Sequence, residues 1–417
     1  AGQLGKKVAC VEMERAGGTC LNWGCIPTKA LLKNAHLYHQ LKHDAETFGL
    51  SFDNLSYDWS KVVGRSRQVS GKLAGGIEYL FKKNNVDYVN GFGSVQGPGK
   101  VEVKKENGTT EILDTQNVII ATGAKSRPMP GFPFNGSTVI SSKEAMILEK
   151  QPKSMVIIGA GAIGVEFAYI YNAFGTEVTI IEMMPNLLPV EDDDVSDAIT
   201  KSYRKAGINC LTDTKVTGTR DNGSSVTITV ENSSGTKEIT ADCCLVAIGV
   251  APVLPGGQQP KLTDRGWVEI SNHYETSLPN VFAIGDIAGP PWLAHTASFE
   301  AMQCVEGIFV EGTAVKRVGD FPGCTYCYPE VASVGKTERA LKDEGIEYKV
   351  GKFPYQALGK AQASGETEGF VKILFGKKYG EVLGAHIIGE NATDLISEMG
   401  LALSLEATID DIHATIH

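Results

Sequence analysis

Short apolar runs separated by glycine and polar residues recur along the chain and predict the buried strands of parallel sheets. The runs lie at residues 7–11, 86–89, 118–121, 155–158, 177–181, 242–248 and 281–284. Segments with the apolar spacing of helices alternate with them, at residues 27–38, 62–83 and 165–174. Strands that alternate with helices in this way predict an α/β fold.

A glycine-rich turn joins the run at 155–158 to the helix that follows it. The sequence Gly159-Ala160-Gly161-Ala162-Ile163-Gly164 has the G-x-G-x-x-G spacing, and Glu182 ends the next strand, about 20 residues further on. This context predicts a dinucleotide-binding turn, although a tight turn without a ligand has the same spacing. Because Glu182 would accept a hydrogen bond from a ribose 2′-hydroxyl and no arginine is near it, we expect NAD rather than NADP.

The chain begins in the second half of another dinucleotide-binding unit. Residues 2–12 predict a helix end, a turn and a buried strand that closes on Glu12. We expect the first strand and its glycine turn to precede residue 1 and to be missing here. A later strand carries Asp286 at its tip and Leu293-Ala294-His295 open a helix, although a plain turn and a partly buried histidine would explain these residues equally.

The composition of the chain argues against some kinds of binding partner. With 417 residues the chain can bury an ample core, and its formal net charge of −10 argues against nucleic acid and anionic membrane surfaces as partners. No apolar run is long enough to cross a bilayer. The nine cysteines lack the spacing of a disulfide framework, which suits a reducing compartment. We therefore expect a protein of a reducing compartment.

Two cysteines five residues apart, Cys20 and Cys25, carry the strongest chemical signal. In a regular helix this step separates the Cα atoms by roughly 8–9 Å, whereas a disulfide needs about 4.4–6.8 Å. A bridge therefore requires an irregular turn, which Gly24 permits, and Pro27 suits the first turn of a following helix. Cys25 would then lie near a helix N-terminus, which favours a thiolate. Two unpaired cysteines or half of a zinc site remain alternatives at this point.

The segment from Gly17 to Lys29, Gly-Gly-Thr-Cys-Leu-Asn-Trp-Gly-Cys-Ile-Pro-Thr-Lys, resembles the active-site segment of the pyridine nucleotide–disulfide oxidoreductases, and within them the dihydrolipoamide dehydrogenase branch. The resemblance covers essentially the whole chain. It implies two Rossmann-like dinucleotide-binding domains plus a C-terminal α+β interface domain. We predict an FAD-binding domain at 1–127, an NAD-binding domain at 128–252, a central segment at 253–320 that completes the FAD site, and a dimerisation domain at 321–417.

The resemblance also implies site residues. The redox pair would be Cys20 and Cys25, supported by an ion pair of Lys29 and Glu166, with no metal. The FAD site would be lined by Glu12, Gly18, Thr19, Lys29, Gly93, Thr122, Gly123, Ala124, Asp286, Leu293, Ala294 and His295. The NAD site would be lined by Gly159, Gly161, Ile163, Gly164, Glu182, Val216 and Gly249.

The implied activity is oxidation of dihydrolipoamide to lipoamide with reduction of NAD⁺. The implied partners are a second copy of the chain, giving a homodimer, and the lipoyl-bearing domains of 2-oxoacid dehydrogenase or glycine cleavage complexes. Glutathione and mercuric reductases and NADH oxidase are alternatives within the family, although glutathione reductase prefers NADP. A catalytically silent dimerising subunit is an alternative of another class.

Four features depart from the family pattern. Trp23 replaces the small residue expected between the cysteines, and Val250 stands where many relatives carry arginine. Cys324 and Cys327 form a second C-x-x-C, for which we favour packing over a redox or metal role. Finally, the last residues resemble the run before the family's His-Ala-His-Pro signature. We therefore expect His417 to be its first histidine and the catalytic base to fall two residues further on.

Overall fold

The computed structural model describes residues 1–417 and divides into two compact units. The first unit comprises Ala1–Pro27, Arg65–Arg127 and Val250–Gly319. The second comprises Thr28–Gly64, Pro128–Gly249 and Asp320–His417. Both units contain parallel strands joined through helices, which confirms the α/β prediction.

The first unit contains two parallel sheets of two strands each. Val8–Glu12 pairs with Val86–Asn90, and Val118–Ile120 pairs with Val281–Ala283. Because the strands of each pair are parallel, the residues that follow them lie at one carboxyl edge, where α/β proteins bind their ligands. Glu12 is therefore at such an edge, and so is the segment that leads to Asp286.

The remaining elements of the first unit surround these pairs. A mixed sheet has the order Gly256–Gly257, Phe92–Gly97, Lys100–Lys104, Thr110–Asp114, in which the first pair is parallel and the other two are antiparallel. Ala124–Ser126 pairs with Val250–Pro252. The helices, including two that extend into the sequence of the second unit, are Gly18–Trp23, Cys25–His43, Trp59–Lys83 and Ala294–Phe309, with 3₁₀ turns at Gly2–Leu4 and Gly285–Ala288. The predicted helices at 27–38 and 62–83 are thus confirmed and longer than predicted.

The second unit is built on a five-stranded parallel sheet. Its order is Asn209–Leu211, Glu177–Ile181, Ser154–Ile158, Cys243–Val246, Val139–Ile140. The central strands are buried on both faces, which explains their unbroken apolar sequences. A three-stranded antiparallel sheet, Lys215–Asp221, Val226–Asn232 and Gly235–Ala241, follows in sequence.

A five-stranded antiparallel sheet forms the C-terminal part of the second unit. Its order is Gly323–Thr325, Val331–Gly335, Val382–Ile388, Phe370–Gly376, Tyr348–Pro354. The helices of this unit are Ser142–Ala145, Ala162–Ala173, Asp193–Lys205, Glu338–Asp343, Gly359–Ser364, Ala392–Ser404 and Ile409–Ala414, with a 3₁₀ turn at Tyr355–Ala357. No helix of either unit combines the length and the apolar character that crossing a bilayer requires.

A buried lysine joins the C-terminal sheet to the helix Asp193–Lys205. The ammonium of Lys372 lies 2.6 Å from Asp192, 3.0 Å from Asp194 and 2.5 Å from Glu338. The side chains of Lys372 and Asp192 are each only 1% exposed. Burial by itself would raise the pKa of Asp192, but the hydrogen bonds that it accepts from Lys372 and from the Glu338 N–H lower the pKa below its ordinary value. The network therefore holds its carboxylates ionised inside the unit.

His386 is fully buried on the neighbouring strand and opposite Lys372 in register. Its Nε2 lies 3.0 Å from the Lys336 carbonyl oxygen, while its Nδ1 has no partner. Burial lowers the pKa of His386 below that of a free histidine, although the nearby Asp192 opposes this. The fold therefore favours the neutral imidazole at this position.

This burial predicts a loss of stability in mild acid. The unfolded chain takes up a proton at His386 near pH 6.5 and the folded chain does so only at lower pH, so unfolding becomes easier as the pH falls. The free energy of unfolding should therefore be lower at about pH 5.5 than at about pH 7.5. Urea unfolding at both pH values should show a shallower pH dependence for His386→Gln than for the unchanged protein. The same change at exposed His273 should leave the slope unaltered, and an unaltered slope in His386→Gln would contradict the prediction.

Candidate active site

The structure joins Cys20 and Cys25 in a disulfide, which confirms the predicted pairing. The two Cα atoms are 4.7 Å apart, well inside the range that a disulfide requires. The irregular turn is at Gly24, between the helices Gly18–Trp23 and Cys25–His43. A Cβ atom at Gly24 would lie 3.1 Å from both the Cys20 Cα and the Thr19 carbonyl oxygen, so a side chain there would require the backbone to move by a few tenths of an ångström.

Cys25 is the first residue of a 19-residue helix, as predicted. Its sulfur therefore lies at the N-terminus of the helix, where unpaired N–H groups and the helix dipole favour negative charge. Such a position stabilises a thiolate once the disulfide opens. The pair can accordingly store two electrons as a dithiol and release them again.

The carboxyl edges of the first unit hold the two acidic residues predicted to bind FAD, Glu12 and Asp286. Glu12 ends its strand and accepts a hydrogen bond from the Glu14 N–H at 2.8 Å. Asp286 follows the strand Val281–Ala283, and burial, together with nearby Glu300, raises the pKa of its carboxyl. A half-buried acid at this edge fits a ligand that offers hydroxyl groups.

The other predicted FAD residues are small or lie at turns and element ends. Gly18 and Gly123 have positive φ angles of 64° and 71°. Gly93 lies on the strand Phe92–Gly97, and a Cβ there would be in ordinary contact with the Val11 side chain, at 3.4 Å. Thr19 lies in the first turn of its helix, Thr122 follows Val118–Ile120, Ala124 begins a strand, and Leu293, Ala294 and His295 start the helix Ala294–Phe309. These positions fit a flavin dinucleotide, although the assignments remain predictions.

Lys29 and Glu166 form the predicted ion pair within the second unit. The Lys29 ammonium lies 2.9 and 3.2 Å from the two carboxylate oxygens. The Glu166 side chain is only 7% exposed, so the pair is not an ordinary surface pair. Lys29 follows Cys25 by one turn of the same helix.

Tyr326 completes this group, and the sequence gives no indication of it. Its backbone N–H donates to Glu166 Oε1 at 2.9 Å, and its ring centroid lies 4.3 Å from the Lys29 ammonium. The ring and the carboxylate thus fix the lysine from two sides. Tyr326 is 160 residues from Glu166, and only the fold brings them together.

The glycine turn after Ser154–Ile158 has the geometry of a dinucleotide-binding turn. Gly159 has a φ of 100°, and Gly161 caps the helix Ala162–Ala173. A Cβ at Gly164 would lie 2.0 Å from the Gly159 carbonyl oxygen, so helix and turn approach closely. These glycines leave helix N–H groups open to a pyrophosphate.

Glu182 is held beside this turn by two backbone groups. Its Oε2 accepts from the Ala160 N–H at 2.8 Å and its Oε1 accepts from the Met184 N–H at 3.0 Å. The carboxylate is therefore fixed within reach of a ribose bound at the turn. Of the other predicted NAD residues, Ile163 is 39% exposed, Val216 lies on the strand Lys215–Asp221 and Gly249 has a φ of 108°.

The cysteines of the second C-x-x-C, Cys324 and Cys327, do not form a disulfide with each other. Cys324 packs against the apolar cluster under the C-terminal helices, whereas Cys327 is buried in the larger cluster around the parallel sheet. Burial raises the pKa of the Cys324 thiol to about 11 and that of Cys327 well above its ordinary value. Both cysteines are unreactive thiols in these surroundings, consistent with a packing role.

The C-terminal histidines lie on or after the helix Ile409–Ala414. The Nε2 of His417 is 2.7 Å from a carboxylate oxygen of Glu398, and His413 is in the last turn of the helix. We assign neither as the catalytic base.

Comparison with known protein families defines the class. The pyridine nucleotide-disulphide oxidoreductase model matches residues 1–301, and the dimerisation domain model of the same family matches residues 321–417. The chain belongs to the pyridine nucleotide-disulphide oxidoreductase family, as the sequence indicates.

The relatives identify the branch. The chain is 41% identical over 438 residues to a dihydrolipoyl dehydrogenase of Rhizobium etli, covering 100% of this chain and 90% of that protein. It is 40% identical over 427 residues to the mitochondrial dihydrolipoyl dehydrogenase of Homo sapiens, covering 100% of this chain and 84% of that protein. Among solved structures, LpdA from Mycobacterium tuberculosis has a TM-score of 0.90 at 20% identity, covering 99% of this chain and 90% of that one.

The HOCl-induced flavoprotein disulfide reductase RclA from Escherichia coli has a TM-score of 0.87 at 24% identity, covering 100% of this chain and 92% of that chain. At these identities the two solved structures support the fold alone. The curated relatives support the dihydrolipoamide dehydrogenase branch that the active-site segment resembles.

Proposed function

We propose that this chain oxidises dihydrolipoamide to lipoamide and passes the electrons to NAD⁺. The observation that carries the proposal is the Cys20–Cys25 disulfide at the start of a long helix, in a chain about 40% identical to dihydrolipoyl dehydrogenases. Other disulfide reductases of the family share the fold, so the identity to dihydrolipoyl dehydrogenases is what favours this substrate.

The proposed reaction at Cys20–Cys25 is a thiol–disulfide exchange. A thiolate of dihydrolipoamide attacks the sulfur of Cys20, forms a mixed disulfide and displaces Cys25 as a thiolate. The second substrate thiol then attacks its own linked sulfur, which releases lipoamide and leaves Cys20 as a thiol. Two electrons have moved from substrate to protein, which now holds a Cys25 thiolate and a Cys20 thiol. When the disulfide forms again, the electron pair leaves with the Cys20 proton as a hydride equivalent for NAD⁺, and the one proton released overall is the one lost when the first substrate thiol ionised.

FAD, when bound, supplies the chemistry that converts the dithiol's electron pair into a hydride. We propose that residues 1–127 and 253–320 hold it through Glu12, Asp286 and the other predicted flavin residues. Residues 128–252 would hold NAD⁺ at the Gly159–Gly164 turn. Glu166 would hold the Lys29 ammonium in a fixed position on the helix that begins at Cys25. The dimerisation match at 321–417 supports a homodimer as the working unit.

The partners and compartment follow from the proposed reaction. The dithiol substrate would be carried on lipoyl-bearing domains of 2-oxoacid dehydrogenase or glycine cleavage complexes. Since the relatives include bacterial and mitochondrial proteins, we propose the cytoplasm in a bacterium and the mitochondrial matrix in a eukaryote.

A substrate comparison tests the function. Protein made from the intact gene and loaded with FAD should form NADH from dihydrolipoamide and NAD⁺ with a kcat/KM at least about 100-fold above that for reduced glutathione. The flavin absorbance of the purified protein is measured first, because a catalytically silent dimerising subunit would show none. NADPH-dependent reduction of glutathione disulfide or of Hg²⁺ in preference to this reaction would overturn the proposal.

Glu182 predicts a strong preference for NAD⁺ over NADP⁺. At about 4 Å and an effective dielectric constant near 20, its carboxylate would repel a 2′-phosphate charge by roughly 4 kcal/mol. We therefore expect kcat/KM to favour NAD⁺ by at least about 100-fold, since 1.4 kcal/mol is a factor of ten. Glu182→Gln should reduce the ratio at least about tenfold, while Glu177→Gln, at the exposed start of the same strand, should not. Equal kcat/KM values for both nucleotides would refute the assignment.

A further inference from the structure

Trp23, the unexpected residue between the two cysteines, contacts the rest of the first unit in two ways. Its indole Nε1–H donates to Glu14 Oε2 at 3.0 Å. The guanidinium carbon of Arg67 lies 4.8 Å from its ring centroid, which is within the range of a cation–π contact. Trp23 is therefore held at its edge by an acid and on its face by a cation.

Arg67 reaches the same segment from the helix Trp59–Lys83. Its Nη2 donates to the Asn22 carbonyl oxygen at 2.8 Å and to Ser70 Oγ at 3.1 Å. Its buried Nε has no hydrogen-bond partner. One arginine thus contacts both residues that precede Gly24.

The third anchor is the side chain of Asn22, which is only 4% exposed. Its amide donates to the carbonyl oxygens of Ala16 and Gly18, each at 3.1 Å. A helix of six residues such as Gly18–Trp23 is not stable in isolation, because so few hydrogen bonds offset the cost of forming it. These tertiary contacts are what keep the segment between the cysteines in place.

We propose that Arg67 and Trp23 are positioning residues that keep the Cys20 and Cys25 thiols close together after the disulfide opens, and so set how readily the pair is reduced. The equilibrium between disulfide and dithiol depends on how often the two free thiols lie within bonding distance. Contacts that survive reduction hold the Cα atoms near the observed 4.7 Å. Loosening them favours the dithiol. This inference rests on the proposed function only in taking Cys20–Cys25 as the redox centre.

A thiol–disulfide titration tests the proposal. FAD-loaded protein from the intact gene is equilibrated with mixtures of reduced and oxidised dithiothreitol, quenched in acid, and tagged with a maleimide for mass spectrometry. Reduction transfers two electrons and two protons from dithiothreitol to the two sulfurs and leaves the reagent as its cyclic disulfide. The fraction of protein with both cysteines tagged gives the midpoint.

We expect Trp23→Val and Arg67→Gln each to shift the equilibrium toward the dithiol by about tenfold, equivalent to about 30 mV. Trp23→Phe retains a ring under the guanidinium and should shift it less. Arg67→Lys retains the charge but not the planar fork and should behave like Arg67→Gln. Because the two side chains act as one unit, the double variant should shift the equilibrium no further than either single one.

Lys72→Gln is the matched control, since it removes a positive charge from an exposed position of the same helix, and its midpoint should not move. Unchanged midpoints in Trp23→Val and Arg67→Gln would overturn the proposal. So would an opposite shift in Arg67→Gln that Arg67→Lys reverses, since charge alone would then be responsible. Trp23→Phe and Arg67→Lys decide the question if the larger changes prevent folding. The titration uses neither NAD⁺ nor dihydrolipoamide, so a failed substrate test would leave these shifts interpretable.

Discussion

Replacing Cys25 with serine should abolish the oxidation of dihydrolipoamide by NAD⁺, with a fall in kcat of at least about 1,000-fold, the scale on which removal of a catalytic nucleophile acts. The reason is stoichiometric, because a single thiol cannot store the electron pair that the substrate releases. Cys20→Ser should be equally inactive, since it removes the sulfur that the substrate attacks. A coupled measurement of NADH absorbance in FAD-loaded protein reads the loss directly.

The control for these variants is Cys324→Ser, which removes a free, half-buried thiol of the second C-x-x-C. It should retain activity within about twofold, because its packing position is filled by a side chain of similar size. Turnover that survives in Cys25→Ser, or that disappears in Cys324→Ser, would place the redox centre elsewhere.

Replacing Lys372 with methionine should strongly destabilise the second unit. The change leaves Asp192 buried beside Asp194 and Glu338 without the cation that lies 2.5–3.0 Å from all three. Removing one partner of a buried ion pair costs about 3–5 kcal/mol, because the remaining charge stays buried and uncompensated. The free energy of unfolding in urea measures the change.

Lys377→Met provides the comparison on the same sheet. Lys377 and Glu347 form an ion pair of 2.8 Å whose side chains are 56% and 76% exposed. Exposed pairs contribute less than about 1 kcal/mol, so this variant should be nearly as stable as the unchanged protein. Equal losses of unfolding free energy in the two variants would contradict the claim that removing the buried Lys372 costs more than removing an exposed lysine.

The sequence predicted those elements whose geometry is determined by residues close together in the chain. The glycine turn at Gly159–Gly164 was predictable because positive φ and close packing require glycine at fixed spacing. The disulfide turn was predictable because Gly24 is the residue that tolerates the approach of Cys20. Helix lengths were underestimated, since the ends of Cys25–His43 depend on contacts that periodicity does not reveal.

Contacts across long sequence separations were not predictable. The Tyr326 ring meets Lys29 only because the strand Gly323–Thr325 and two helices meet in the second unit. Lys372 occupies a position that alternation would assign to an apolar residue, and its buried partners come from two other elements. Charge and aromatic character in the sequence identify candidates, but their pairing is a property of the fold.

The most direct test of the account is to follow Cys20 and Cys25 during a single reduction. Dihydrolipoamide is added to FAD-loaded protein without NAD⁺, the sample is quenched in acid, and each cysteine is tagged and quantified by mass spectrometry. The account predicts that both cysteines change from untagged to tagged, that tagging of Cys10 and Cys324 does not depend on substrate, and that added NAD⁺ restores the disulfide. Formation of NADH while Cys20 and Cys25 remain bonded throughout would contradict it.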